Sequence, residues 1–186
     1  MTMKITGGAL KNFKLKAPVG FRVRPTPAKV REALFSIMGE KVEGSRFLDF
    51  FAGSGAVGIE AASRGAVKVT FVESKKSAIK VLRSNLEGCR LDEMATVIHF
   101  DVFDTIITLN NRQLFFDIVF LDPPYEGDLL IQALKKMIKY PIIEPGAIVI
   151  TQSYYKTVIP PHEKLQRYQH KTYGETTLSF FTWEGV

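Results

Sequence analysis

The tetrapeptide Asp122-Pro123-Pro124-Tyr125 directly follows the apolar run Phe116-Asp117-Ile118-Val119-Phe120-Leu121. A carboxylate, two prolines and an aromatic at the end of a buried strand can clamp a flat group that bears an amine. Asp122 can accept one N–H of an exocyclic amine and the Pro123 carbonyl the other, while Tyr125 stacks on the ring. Proline fixes φ and carries no N–H, so the acceptors stay aimed and no donor competes with the amine. Asp-Pro-Pro is also ordinary turn chemistry, and only its surroundings separate the two readings.

A second constellation lies upstream, where Leu48-Asp49-Phe50-Phe51-Ala52-Gly53-Ser54-Gly55-Ala56-Val57-Gly58 passes from a strand into a helix. Its glycines permit a tight turn and let a ligand rest against bare backbone. Residues 53–58 satisfy the dinucleotide pattern G-x-G-x-x-G, and Glu73 stands 20 residues after Gly53, where a carboxylate can take both ribose hydroxyls. A nicotinamide cofactor therefore competes with any other nucleoside ligand. Asp49 and Asp101 tilt the choice: the first can face a cationic amino acid group, and the second can accept an adenine amino proton. S-adenosylmethionine needs both, and it brings no pyrophosphate.

The elements that must position these groups alternate in type. Gly7-Gly8 sits in a short strand or hairpin over 5–15. Thr26 is expected as a helix N-cap with Pro27 in the first turn, and Val30, Leu34, Ile37 and Met38 recur at helical spacing up to Gly39. Strands are expected over 46–51, 67–72, 95–100, 116–121 and 147–151, the last one entered through the turn Pro145-Gly146. Helices are expected over 56–64, 75–87 and 127–139, with a short one before Phe116, and two β segments (164–172 and 177–183) close the chain. Strands buried on both faces and alternating with helices make a parallel α/β sheet covered on two sides.

Composition sets the frame. At 186 residues and 46% apolar content the chain is expected to form one domain. Cys89 stands alone, which leaves no disulfide framework and no zinc cluster and points to the cytoplasm. His99, His162 and His170 have no metal-ligand spacing, so no metal is assigned. No run reaches the length of a membrane span, and the N-terminus lacks the apolar core of a signal peptide, so a soluble protein is expected. Charge is uneven: the first 31 residues hold eight Lys or Arg and no acid, whereas residues 47–186 are close to balanced. Such a segment attracts polyanions through phosphate contacts, and Phe13 and Phe21 within it can stack on bases or anchor it to the core.

Taken with these features, Arg24-Pro25-Thr26, Val30-Arg31-Glu32-Ala33-Leu34-Phe35, Leu48 to Gly55, Ala62-Ser63-Arg64-Gly65-Ala66 and Asp122 to Tyr125 give the chain a family likeness. It resembles the RsmD-type bacterial 16S rRNA (guanine-N2)-methyltransferases over nearly its whole length. The resemblance implies a class I S-adenosylmethionine-dependent methyltransferase (Rossmann-like) fold. Its seven-stranded sheet would be mostly parallel with an antiparallel last strand. Asp49, Ala52, Gly53 and Gly55 would line the methionine moiety, Glu73 and Ser74 the ribose, and Asp101 with Val102 the adenine. Asp122, Pro123, Pro124 and Tyr125 would hold the target guanine. The basic extension over 1–31, with Lys11, Lys14, Arg22, Arg24 and Arg31, would grip 16S rRNA or a small-subunit particle, beside a catalytic core over 46–186. A monomer is expected. The family commonly has a glutamate where this chain reads Thr151-Gln152, and an early arginine where it reads Leu10-Lys11-Asn12-Phe13-Lys14.

Other readings stay open on the residues alone. The same tetrapeptide suits a DNA adenine-N6 methyltransferase, the glycine pattern suits a nicotinamide oxidoreductase, and the basic segment suits a non-catalytic RNA-binding module. An amine is legible in the residues; guanine comes only from the resemblance.

Overall fold

The structure, a computed structural model, describes residues 2–17, 26–125 and 127–185. A hairpin of β1 (Thr2–Lys4) and β2 (Lys14–Lys16) precedes α1 (Ala28–Met38), which ends at Gly39 in a short 3-10 turn. Then follow β3 (Arg46–Phe50), α2 (Ala56–Ser63), β4 (Lys68–Glu73), α3 (Lys76–Cys89), β5 (Ala95–His99) and α4 (Val102–Asn111). The chain continues through β6 (Phe116–Leu121), α5 (Leu129–Lys139), β7 (Ile143–Tyr154), β8 (Leu165–Tyr173) and β9 (Thr176–Trp183).

The long strands form one seven-stranded sheet in the order β5-β4-β3-β6-β7-β9-β8. Strands β3 to β7 pair in parallel, and β9 inserts antiparallel between β7 and β8, as expected for the last strand. Strand β6 reads Phe-Asp-Ile-Val-Phe-Leu because both of its faces are covered. On one face Leu34 of α1, Ile59 of α2 and Leu82 of α3 pack over Phe47, Phe71 and Phe120. On the other, Ile106 of α4 and Leu134 of α5 cover Leu48, Val72 and Val119, with Trp183 closing the layer. Strand order reverses between β3 and β6, which opens a crevice at the carboxyl ends of the strands, where α/β sheets take their ligands.

Strand β7 begins at Ile143, four residues before the expected start at Ala147. Phe116 pairs with Ile143 and Ile118 with Ile148, so exposed Pro145 and Gly146 lie in a bulge instead of a turn that starts the strand. A bulge accommodates a residue that cannot donate to the ladder.

The N-terminal hairpin is fastened to the core. Met3, Ile5 and Leu15 are buried, and Ser63 at the end of α2 binds the hairpin loop from both sides. Its carbonyl accepts from Ala9 N–H at 2.7 Å, and its hydroxyl donates to the Gly7 carbonyl at 2.7 Å. Gly8 is required there: its φ is +77°, and a Cβ would stand 1.9 Å from the Ser63 carbonyl oxygen. Asn85 of α3 bonds the backbone of Lys16 in both directions, at 2.8 and 3.0 Å, and also donates to the Ser54 carbonyl at 2.9 Å. The hairpin is thereby tied to the glycine loop.

Arg31 departs from its expected role in gripping RNA. It is 1% exposed, its Nε donates to Glu60 at 3.1 Å, and its other nitrogens donate to the carbonyls of Thr26 and Lys4. Glu60, fully buried, also accepts from Thr6 and from Arg64. A guanidinium wedged between α1, α2 and the hairpin is a structural cation, and no phosphate can reach it. Lys11 and Lys14 are exposed on the hairpin, and Phe13, 37% exposed, lies against Gly88 of α3. Arg22, Arg24 and Phe21 lie outside the described residues.

Removing one partner of a buried ion pair strands the other charge. Arg31→Ala is therefore expected to cost about 3–5 kcal/mol in chemical denaturation, whereas Lys11→Ala and Lys14→Ala stay within about 0.5 kcal/mol. A parent-like midpoint for Arg31→Ala would return that residue to the surface role.

Candidate active site

Asp49 is the penultimate residue of β3, on the face that α2 covers. It is 2% exposed, and its carboxylate accepts the Gly58 N–H at 2.9 Å. Beyond β3 the backbone turns sharply. Phe51 takes φ +61°, a conformation that costs free energy for a residue with a side chain, and Gly53 (+57°) and Gly55 (+79°) follow. Gly53 N–H donates to Glu73 at 2.9 Å, and Lys75 N–H takes the other Glu73 oxygen at 2.8 Å. Glu73, at the end of β4, thus holds the glycine loop and the entry to α3 in register.

The glycines do different work. A Cβ on Gly53 would stand 4.0 Å from the Phe51 carbonyl oxygen, an ordinary contact, so this position needs glycine for its φ alone. A Cβ on Gly55 would stand 2.2 Å from Leu82 Cδ1, and one on Gly58 2.3 Å from Phe71 Cε1. Gly55, expected against the ligand, instead lets α3 pack against the loop and does not line the cavity described next.

A cavity of about 300 Å³ opens at the switch point. Of the expected residues, Asp49, Ala52, Gly53, Glu73, Ser74 and Asp101 line it, together with Asp122 and Pro124. Asp101 caps α4, its Oδ1 accepting from Phe103 N–H at 2.7 Å. The Val102 side chain is buried in the core, and Phe103 takes the place on the cavity wall expected for it. Pro123 and Tyr125 line a smaller adjoining cleft that Pro124 shares. Tyr125 is 47% exposed, and its hydroxyl is tethered to the Thr176 hydroxyl at 2.9 Å.

Asp122 is held from two sides. Thr26 Oγ1 donates to its Oδ2 at 3.1 Å, and Gln152 Nε2 donates to the same oxygen at 2.9 Å. Thr26 is consequently not the N-cap of α1: Pro27 occupies that position, and the hydroxyl is spent on tertiary structure. Gln152, 3% exposed, completes the setting, and its only sign in the sequence is an amide closing the apolar run of β7. Oδ1 of Asp122 is left for a ligand.

Carboxylates dominate this end of the sheet. Burial pushes the Asp49 carboxyl up to about 8, against the pull of the Gly58 N–H, and Asp122 and Glu73 add to the rise. Burial likewise raises Asp122 to about 7, opposed by the bonds from Thr26 and Gln152. A pyrophosphate placed here would meet four carboxyl groups, Asp49, Glu73, Asp101 and Asp122, against one lysine, Lys75, whereas a cationic ligand would restore Asp49 to its charged form. The residues fit a positively charged nucleoside and oppose a dinucleotide. Among the described residues no group of acids, histidines or cysteines could hold a metal, and no helix is long and apolar enough to cross a membrane.

Comparison with known proteins agrees with this geometry. Residues 3–182 match the family described as conserved hypothetical protein 95. Ribosomal RNA small subunit methyltransferase D of Haemophilus influenzae is 34% identical over 173 residues, which cover 92% of this chain and 89% of the relative. The solved structure of the Escherichia coli protein yhhF superposes with a TM-score of 0.89 at 27% identity, covering all of both chains. An RNA methyltransferase from Salinibacter ruber, solved with S-adenosyl-L-homocysteine, shares the fold at 16% identity and a TM-score of 0.69, over 88% of this chain and 95% of its own.

The raised Asp49 carboxyl has a thermodynamic signature. An unfolded aspartate ionises near about 4, so between about pH 4 and 8 the unfolded chain has lost a proton that native Asp49 keeps. This group's contribution to stability is complete below the unfolded value and is lost as pH rises through about 8. Asp49→Asn removes that loss, so the ligand-free variant should gain on the parent steadily as pH is raised, as followed by thermal unfolding. A constant difference between the two proteins would contradict the raised carboxyl.

Proposed function

The chain belongs to the conserved hypothetical protein 95 family, the family of the RsmD-type methyltransferases, and on that footing we propose that it methylates the exocyclic N2 amine of a guanine in small-subunit ribosomal RNA. It is a methyltransferase, and its cofactor is S-adenosylmethionine. The observation that carries the finer reading is Asp122, fixed by Thr26 and Gln152 on the wall of the same cavity as Asp49 and Glu73.

S-adenosylmethionine supplies a methyl group on a sulfonium. Asp49 would hold its cationic amino acid portion, Glu73 and Ser74 the ribose, and Asp101 with Phe103 the adenine. Asp122 Oδ1 accepts one N–H of the target amine, and the Pro123 carbonyl accepts the other. A guanine amine is a poor nucleophile because its lone pair is delocalised into the ring. Two acceptors draw the nitrogen toward tetrahedral geometry and free that lone pair. The amine lone pair would take the methyl group that the sulfonium would supply, and one amine proton would leave to Asp122 or to water. Positioning supplies most of the acceleration. Exposed Lys11 and Lys14 hold the RNA backbone, and the exposed ring of Tyr125 takes the face of the base.

Asp122→Ala is expected to lower methyl transfer to small-subunit rRNA by about 10²–10⁴-fold while calorimetric binding of S-adenosylmethionine changes little. In the parent, kcat/KM should climb as pH rises through about 7, where Asp122 becomes an acceptor. Unchanged turnover in Asp122→Ala would overturn the clamp. Transfer to duplex DNA in preference to rRNA would favour the adenine-N6 reading.

A further inference from the structure

Among the described residues, two buried side-chain atoms have no hydrogen-bond partner: Thr151 Oγ1 and Gln152 Oε1. They are neighbours on β7 and therefore point to opposite faces of the sheet. Gln152 shares its face with Ile150, Phe120 and Asp122, and its amide stands against the Asp122 carboxyl. The carboxylate of Asp122 only accepts hydrogen bonds, which turns the Nε2 end of the amide toward it. The carbonyl end must then face away, toward a cleft of about 30 Å³ that Gln152 lines with Pro123, Pro124, Tyr125 and Tyr154. An amide oxygen removed from water without a donor is a cost that native proteins rarely leave uncompensated.

The cleft adjoins the clamp, and its other walls mix apolar Leu130 and Ile131 with polar Asp128, Ser153 and Thr157. Asp122 and Gln152 are joined by the 2.9 Å bond from Nε2 to Oδ2, so Asp122 Oδ1 on the main cavity and Gln152 Oε1 on the adjoining cleft are acceptors of two touching side chains. Guanine offers a matching pair of donors, since its 2-amine is next to N1–H on one edge. Adenine does not, because the ring nitrogen beside its 6-amine is an acceptor. Resting on the methyltransferase reading above, we infer that Gln152 Oε1 accepts the ring N–H adjacent to the amine being methylated, and that this bond selects guanine over adenine. The base edge enters between Asp122 and Tyr125, and the orphaned oxygen gains its donor only when the correct base is seated. Gln152 thus has two separable tasks: its nitrogen positions Asp122, and its oxygen reads the base.

A change of base separates those tasks when read with the variants, since 2-aminopurine lacks guanine's O6 as well as its N1–H. 2-Aminopurine keeps the 2-amine but has no N1–H, and presents an acceptor there. The experiment compares kcat/KM on the shortest rRNA fragment that accepts methyl from the parent protein with the same fragment carrying 2-aminopurine at the mapped position. The parent should prefer guanine by roughly 10²-fold or more, since a site built for a donor rejects an analogue that lacks it. Gln152→Met should lower transfer to both substrates and narrow the preference to about tenfold or less. Gln152→Glu, which keeps an acceptor, should retain most of the preference. Thr26→Val, which removes the other support of Asp122, should slow both substrates equally and leave the ratio intact.

A parent enzyme that accepts 2-aminopurine as readily as guanine overturns the inference without any variant. So does an unchanged ratio in folded Gln152→Met, the outcome expected if a water alone satisfies the amide. If no guanine in the RNA accepts methyl, the guanine-N2 reading itself fails, and the two failures are distinct.

Discussion

The site depends on a carboxylate that must remain an aimed acceptor while it is largely surrounded by protein. Asp122 meets that constraint through two neutral donors brought from opposite ends of the chain, Thr26 before α1 and Gln152 on β7. Neither donor carries charge, so neither neutralises the carboxylate as a lysine or arginine would. Charge is used one step further out. Arg31 donates to the Thr26 carbonyl and to Glu60, which sets the height of the Thr26 hydroxyl above the sheet. A continuous series of bonds therefore runs from α2 through α1 to the substrate end of the cavity. The N-terminal hairpin joins it through the Lys4 carbonyl and is part of the scaffold that holds Asp122.

The cofactor end answers to the same economy of charge. Asp49, Glu73 and Asp122 converge where β3, β4 and β6 end, because a parallel sheet delivers every strand terminus to one edge. Backbone N–H groups of Gly53, Gly58 and Lys75 satisfy Asp49 and Glu73 without adding positive charge. Four carboxyl groups against Lys75 leave the cavity wall net acidic, which suits a sulfonium with its ammonium group. The same arrangement opposes a pyrophosphate, which is why a glycine pattern shared with dinucleotide enzymes leads here to different chemistry.

Much of this was legible in the residues. Strand β6 runs from Phe116 to Leu121 as its apolar run predicts, since burial on both faces leaves one reading of such a run. The cavity-lining acids could be named because each stands at a strand end in a βαβ alternation. What stayed hidden involved long-range partners. Thr26 looks like a cap because the local use of its hydroxyl is visible in sequence, while Asp122 lies 96 residues away. Arg31 counts as surface charge until Glu60, 29 residues on, is placed against it. Gly55 fits a ligand-contact pattern, and only the position of Leu82 reveals that its missing side chain makes room for a helix. Gln152 shows only as an amide in an apolar strand, and its role emerges once β7 lies beside β6.

The central claim is that this sheet edge brings a guanine amine to a methyl donor. Mass mapping of methylated nucleotides in small-subunit rRNA, from cells with and without this protein, addresses it most directly. The account predicts one N2-methylguanine that disappears without the protein and returns when the parent chain, but not Asp122→Ala, is restored. An identical set of methylated guanines in both cell lines, or restoration by the Asp122→Ala chain, would contradict it.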